Sequence, residues 1–75
     1  MTLEEFVKKV QGELQDTPAD QITAETNYKE LDEWGSLTSL SLISMIEEEY
    51  DKLITGADVR AQNSIKELYD YVESL

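Results

Sequence analysis

The apolar residues of this chain fall in three stripes of helical period, and no segment shows the strong alternation of a strand. Leu3, Phe6, Val7, Val10 and Leu14 share one helix face. Leu42, Ile43, Ile46, Tyr50 and Leu53 share a second, and Ile65, Leu68, Tyr69 and Val72 a third. The 75 residues include no cysteine and no histidine, so no disulfide or thiolate metal site can staple the chain. The stripes must therefore bury one another. This predicts an all-α fold, a small four-helix bundle with three main helices and one short one, as a single domain over residues 1–75. The expected core is Phe6, Val10, Tyr28, Leu42, Ile46, Leu53, Ile54, Ile65, Leu68 and Val72.

Capping signals set the boundaries. Thr2 with Glu5 reads as a capping box at the first helix, and Asp16-Thr17-Pro18 ends it. A connection from about Asp16 to Gly35 follows. Thr17 is expected to cap a short turn with Pro18 at its first position. Ile22, Tyr28, Leu31 and Trp34 are spaced to pin this connection onto a core. The second helix is expected from Ser36, acting as N-cap, to about Lys52. After Thr55-Gly56, the stretch Ala57 to Ala61 has room for one turn, capped by Thr55 with Asp58. Ser64 with Glu67 opens the last helix. On a wheel of about 100° per residue, Leu37, Leu40, Ser44, Glu47, Glu48 and Asp51 occupy a sector of the second helix away from its core face. Two leucines facing water among acids mark a partner surface, unless the preceding loop covers them. Met45 falls between the two sectors.

Composition narrows the function. The net charge of −11, from 17 acids and 6 bases, repels nucleic acid and anionic membranes and attracts basic protein surfaces, while also serving solubility. Without histidine the chain lacks the commonest general base and zinc ligand, so neither a self-contained hydrolase nor a metal site is expected. A hydrophobic content of 40% is too high for a disordered acidic tail. No apolar run approaches membrane-spanning length, and Met1-Thr2-Leu3-Glu4-Glu5 lacks a signal-peptide core. A cytoplasmic monomer without membrane insertion is the expectation.

The stretch from Trp34-Gly35-Ser36-Leu37 to Glu47-Glu48-Glu49-Tyr50-Asp51 carries the sharpest signal. Ser36-Leu37, Leu40, Leu42-Ile43, Ile46 and the acidic end follow, position by position, the pattern of discrete bacterial acyl carrier proteins. In that pattern a serine–leucine motif opens a helix, aliphatics follow, and a Glu-Glu-Glu-aromatic-Asp end closes it. The spacing onward to Tyr71-Val72 also fits, so the chain resembles this family over nearly its whole length. The resemblance implies that Ser36 carries a covalent 4′-phosphopantetheine arm, installed from coenzyme A by a phosphopantetheinyl transferase. It also implies acyl groups held as thioesters and passed between enzymes of a fatty-acid, polyketide or related lipid pathway, with the chain itself catalysing nothing. The implied partners are acyl-transferring or ketosynthase-type enzymes with basic surfaces. Leu37 and Leu40 are expected to make the close contact and Glu47, Glu48 and Asp51 to steer the approach. A phosphodiester at a helix N-terminus would sit beside the positive end of the dipole and unpaired N–H groups.

The chain departs from the family pattern in two places. Gly35 stands where most carriers have an aspartate. Asp32 or Glu33 is a candidate substitute for that charge, and a positive backbone angle at the helix entrance is the alternative reason for the glycine. Ser41, Ser44 and Trp34 resemble stand-alone carriers of specialised pathways more than housekeeping ones. Two other readings stay open: an aminoacyl or peptidyl carrier, and an unmodified acidic helical adaptor that binds a basic protein surface.

Overall fold

The computed structural model describes residues 2–75. Four α-helices run in the order α1 (Leu3–Glu13), α2 (Ser36–Tyr50), α3 (Gly56–Ala61) and α4 (Ile65–Glu73). Two single-turn 3₁₀ helices, Ala19–Gln21 and Tyr28–Glu30, shape the long connection before α2. The described residues contain no strand. Helix α1 packs on α2 and α4, and α2 on α3.

Three helix starts follow the capping logic of the sequence. The Thr2 hydroxyl accepts the Glu5 N–H, Thr55 accepts that of Asp58, and Ser64 accepts that of Glu67. At α3 the box is reciprocal, since the Asp58 carboxylate accepts the Thr55 N–H at 2.9 Å. At α4 the Glu67 carboxylate reaches one residue further back, to the Asn63 N–H. The Ile65 and Lys66 N–H groups in the first turn of α4 donate to the Thr26 and Ala24 carbonyls of the long connection. That connection thus satisfies helix-end donors that would otherwise lack partners.

The core gathers Phe6, Val10, Leu14, Ile22, Tyr28, Leu42, Met45, Ile46, Ile54, Val59, Ile65, Leu68 and Val72. The expected core holds with one exception, Leu53, which is 76% exposed. The reason lies in the end of α2. The helix stops at Tyr50 rather than running to Lys52, and Asp51 closes it in the left-handed region at φ 56°, ψ 40°, its N–H on the Glu47 carbonyl at 3.0 Å. An aspartate tolerates this conformation better than a branched residue would. Beyond it the wheel no longer applies, and Ile54 takes the inward position that helical extrapolation gave to Leu53. Met45 is buried and joins the core face of α2.

The long connection is packed rather than loose. Ile22 and Tyr28 are fully buried, and the Tyr28 hydroxyl donates to the Val59 carbonyl at 2.6 Å. Burial raises the pKa of this hydroxyl, which keeps it protonated and a donor. The Tyr28 and Trp34 rings lie 5.1 Å apart. Thr17 does not cap the first 3₁₀ turn, because Pro18 occupies its N-cap position. The Thr17 hydroxyl instead donates to the Glu33 carboxylate, closing the connection onto the entrance of α2. The Lys9 ammonium meets the Glu49 carboxylate at 2.6 Å across α1 and α2.

Candidate attachment site

Helix α2 begins differently from the other three. Its N-cap is Gly35, and Ser36 is the first helical residue, not the cap expected from the sequence. The determinant is Thr38, at the third helical position. Its Oγ1 accepts the Gly35 N–H at 2.7 Å and lies 2.9 Å from the Gly35 carbonyl oxygen, to which it donates. This is half of a capping box. The other half needs an N-cap side chain, which glycine lacks, and no side-chain cap is present. The Gly35 carbonyl still accepts the Ser39 N–H at 3.0 Å. The first N–H groups of α2 therefore face outward without a side-chain acceptor, and the exposed Ser36 lies among them.

Gly35 is not there for a positive backbone angle. Its φ of −177° and ψ of −170° are extended backbone open to any residue. A Cβ added to it would meet nothing within 4 Å. An aspartate would fit, so its absence is a chemical difference and not a steric one. Of the two neighbouring acids, Glu33 is engaged by the Thr17 hydroxyl and, at 3.4 Å, by the Asp16 N–H. Asp32 is exposed.

Beside Ser36 runs an open groove between α2 and α3. Trp34, Leu40 and Ile43 give it an apolar lining, joined by Ser36 and Ser39 of α2 and by Gly56 and Arg60 of α3. Along the outward face of α2, Leu37 is 81% and Leu40 58% exposed, and no loop covers them. Glu47 and Glu48 are exposed further along the same helix, and Asp51 is exposed at its C-cap. Glu49 turns toward α1 and pairs with Lys9, which separates it from that acidic set.

A family model for the phosphopantetheine attachment site matches residues 4–72. The chain belongs to that family. It is a phosphopantetheine carrier, of a kind that bears the prosthetic group covalently, does not itself catalyse, and works with a phosphopantetheinyl transferase and biosynthetic enzymes. Comparisons with curated proteins and with solved structures gave no match. The entrance of α2 could accommodate such a group: it has an exposed hydroxyl, helix N–H groups without a side-chain cap, open space at Gly35 and an adjoining groove. Among the described residues, no cluster of three or more acidic, histidine or cysteine side chains is placed to hold a metal ion. No helix there is long and apolar enough to cross a membrane.

Sequence reading missed two features of this site. Thr38 follows Gly35 by three, and reading that pair as a capping box would have placed Ser36 one position further in. Arg60 reaches the Ser36 groove from a six-residue helix whose orientation no periodicity fixes.

Proposed function

We propose that Ser36 bears the 4′-phosphopantetheine arm and that the carrier holds acyl groups on it as thioesters, delivering them to successive enzymes of a lipid-type or specialised biosynthetic pathway. The observation that carries this reading is the exposed Ser36 hydroxyl in the uncapped first turn of α2. Attachment uses Ser36 as the nucleophile. Its Oγ forms a bond to the phosphorus that carries the pantetheine of coenzyme A. The phosphoanhydride bond breaks, adenosine bisphosphate leaves, and the serine proton passes to a base on the transferase. The open first-turn N–H groups then stabilise the phosphodiester, by about 0.3–1 kcal/mol at an exposed site. Once bound, the arm supplies the thiol that a cysteine-free chain lacks.

Leu37 and Leu40 supply the contact surface for partner enzymes, and Glu47, Glu48 and Asp51 the charge that attracts basic partners. Four of the five are exposed residues of α2 and Asp51 is its C-cap, all downstream of the same serine. Trp34, Ser41 and Ser44 favour partners outside housekeeping fatty-acid synthesis, while Gly35 in place of the family's aspartate bears on which transferase recognises the chain.

The test is intact mass after incubation with a promiscuous transferase and coenzyme A, followed by acylation. One phosphopantetheine should add to the wild type and none to Ser36→Ala. A bound acyl group should leave on neutral hydroxylamine, as a thioester does. A chain that stays unmodified with several transferases would replace the carrier reading with that of an acidic adaptor.

A further inference from the structure

Most of the carrier's few cations are already engaged. Among its 6 bases, Lys9 pairs with Glu49 and Lys66 with Asp70. The Lys29 ammonium donates to the Arg60 carbonyl at 2.7 Å and to the Asn63 side chain at 3.2 Å. The Lys52 ammonium donates to the Leu75 carbonyl at 2.6 Å. Among the described residues, the side chains of Arg60 and Lys8 make no ion pair. Lys8 lines a different groove, on α1, together with Glu4. Arg60 lines the groove that contains Ser36, and no carboxylate lines that groove.

An unpaired guanidinium in a chain with 17 acids needs an explanation. Gly56 adds to the case. A Cβ there would come within 3.1 Å of Arg60 Nη1, so the bare glycine leaves the space that the guanidinium occupies as it folds back over the start of α3. A guanidinium presents a planar fork of donors that matches phosphate oxygens. In a molecule of net charge −11 it is a natural counter-charge for an anion formed on Ser36, which lines the same groove.

We propose that Arg60 is a positioning residue for the arm: its guanidinium takes the phosphodiester on Ser36 and holds the first part of the arm in the groove between α2 and α3. This rests on the assignment of the arm to Ser36. Arg60 belongs to the last turn of α3, but its guanidinium folds back over the start of that helix, at the positive end of the dipole. The dipole acts equally on the unmodified and modified chains, so the difference between the two forms isolates contact with the phosphodiester.

The experiment compares unmodified and modified forms of the wild type, Arg60→Gln, Arg60→Lys and Gly56→Ala. Intact mass comes first, and a wild type that cannot be modified overturns the Ser36 assignment and this proposal with it. In chains that are modified, the melting gain on modification at low salt should be larger in the wild type than in Arg60→Gln by about 2–6 °C. Arg60→Lys should keep part of that gain. Gly56→Ala crowds the guanidinium by only a few tenths of an ångström and should keep most of the gain, and the phosphorus-31 comparison of wild type with Arg60→Lys carries the test if Arg60→Gln folds poorly. The advantage should shrink at about 1 M salt, where the screening length is about 3 Å. The phosphorus-31 resonance of the modified chain should differ between wild type and Arg60→Gln. Equal melting gains with an unchanged phosphorus resonance would leave the Ser36 assignment intact and overturn the role of Arg60.

Discussion

Gly35→Asp should stabilise the unmodified chain, and its size follows from the geometry of the α2 entrance. The position is extended, with φ −177° and ψ −170°, and a Cβ there meets nothing within 4 Å. No strain opposes the substitution. An aspartate can accept the Thr38 N–H and complete the half-box that Thr38 already makes with the Gly35 N–H. Aspartate exceeds glycine as an N-cap by a few tenths of a kcal/mol. Removing glycine's freedom in the unfolded chain adds about 0.4–1 kcal/mol. Favourable interaction with the helix dipole adds further, while repulsion from Asp32 and Glu33 subtracts a similar few tenths. The net gain is about 0.5–1.5 kcal/mol, or a melting temperature higher by about 3–8 °C in a domain of this size. Thermal unfolding followed by circular dichroism measures it, with Gly35→Ala and Gly35→Asn alongside. Alanine restricts the unfolded chain but caps poorly, so it should stay near the wild type. Asparagine caps without charge and should recover most of the gain. An aspartate variant no more stable than the alanine variant would refute the claim that α2 lacks a cap.

The remaining predictions concern the core, one acid and the outward face. Leu42→Ala or Ile46→Ala should each cost about 2–5 kcal/mol in chemical denaturation, since both side chains are fully buried. Leu53→Ala should stay within about 0.5 kcal/mol of wild type, since that side chain is mostly exposed. The Asp58 carboxyl is held below its ordinary 3.8 by the Thr55 backbone N–H and then by Tyr71. A depressed folded-state value gives stability that is present above the ordinary value and lost as pH falls through the lower one. The stability gap between wild type and Asp58→Asn should therefore be full near neutral pH and close below about pH 3.8. Reversing the charge at Glu47 and Glu48 should slow association with a cognate enzyme and flatten its salt dependence, whereas Leu40→Ala should mainly speed dissociation. Binding that ignores both changes would place the partner surface elsewhere.

The helices were legible because each announces itself twice, by an apolar stripe and by a cap. Thr2, Thr55 and Ser64 stand where the sequence placed them, and nine of the ten expected core residues are buried. Leu53 was misplaced because a helical wheel assumes the helix continues, and only the left-handed backbone at Asp51 says that it does not. Met45 was ambiguous by angle, and the packing of α2 against its neighbours decides its burial. Val59 entered no stripe, since six residues of helix are too few to show a period, yet it is fully buried and accepts the Tyr28 hydroxyl. At the site, the motif pointed to Ser36 and to the exposed leucines and acids of α2. The cap assignment failed because serine is a favoured N-cap, while the Thr38 hydroxyl already ties down the residue before it. The Ser36–Arg60 juxtaposition depends on how α3 packs against α2, and nothing local in the sequence encodes it.

In this proposal one side chain, Ser36, carries the arm. Peptide-level mass spectrometry tests it most directly, on protein co-expressed with a promiscuous transferase and digested under conditions that preserve the phosphodiester. A single phosphopantetheine is expected, found on the peptide containing Ser36 and assigned to that residue by fragmentation. Ser39, Ser41 and Ser44 should remain bare, because they lie inside α2 where backbone would have to unwind to admit a transferase. Ser36→Ala should show no modification while keeping its helical spectrum. A phosphopantetheine on any other serine, or one that persists in Ser36→Ala, would contradict the account.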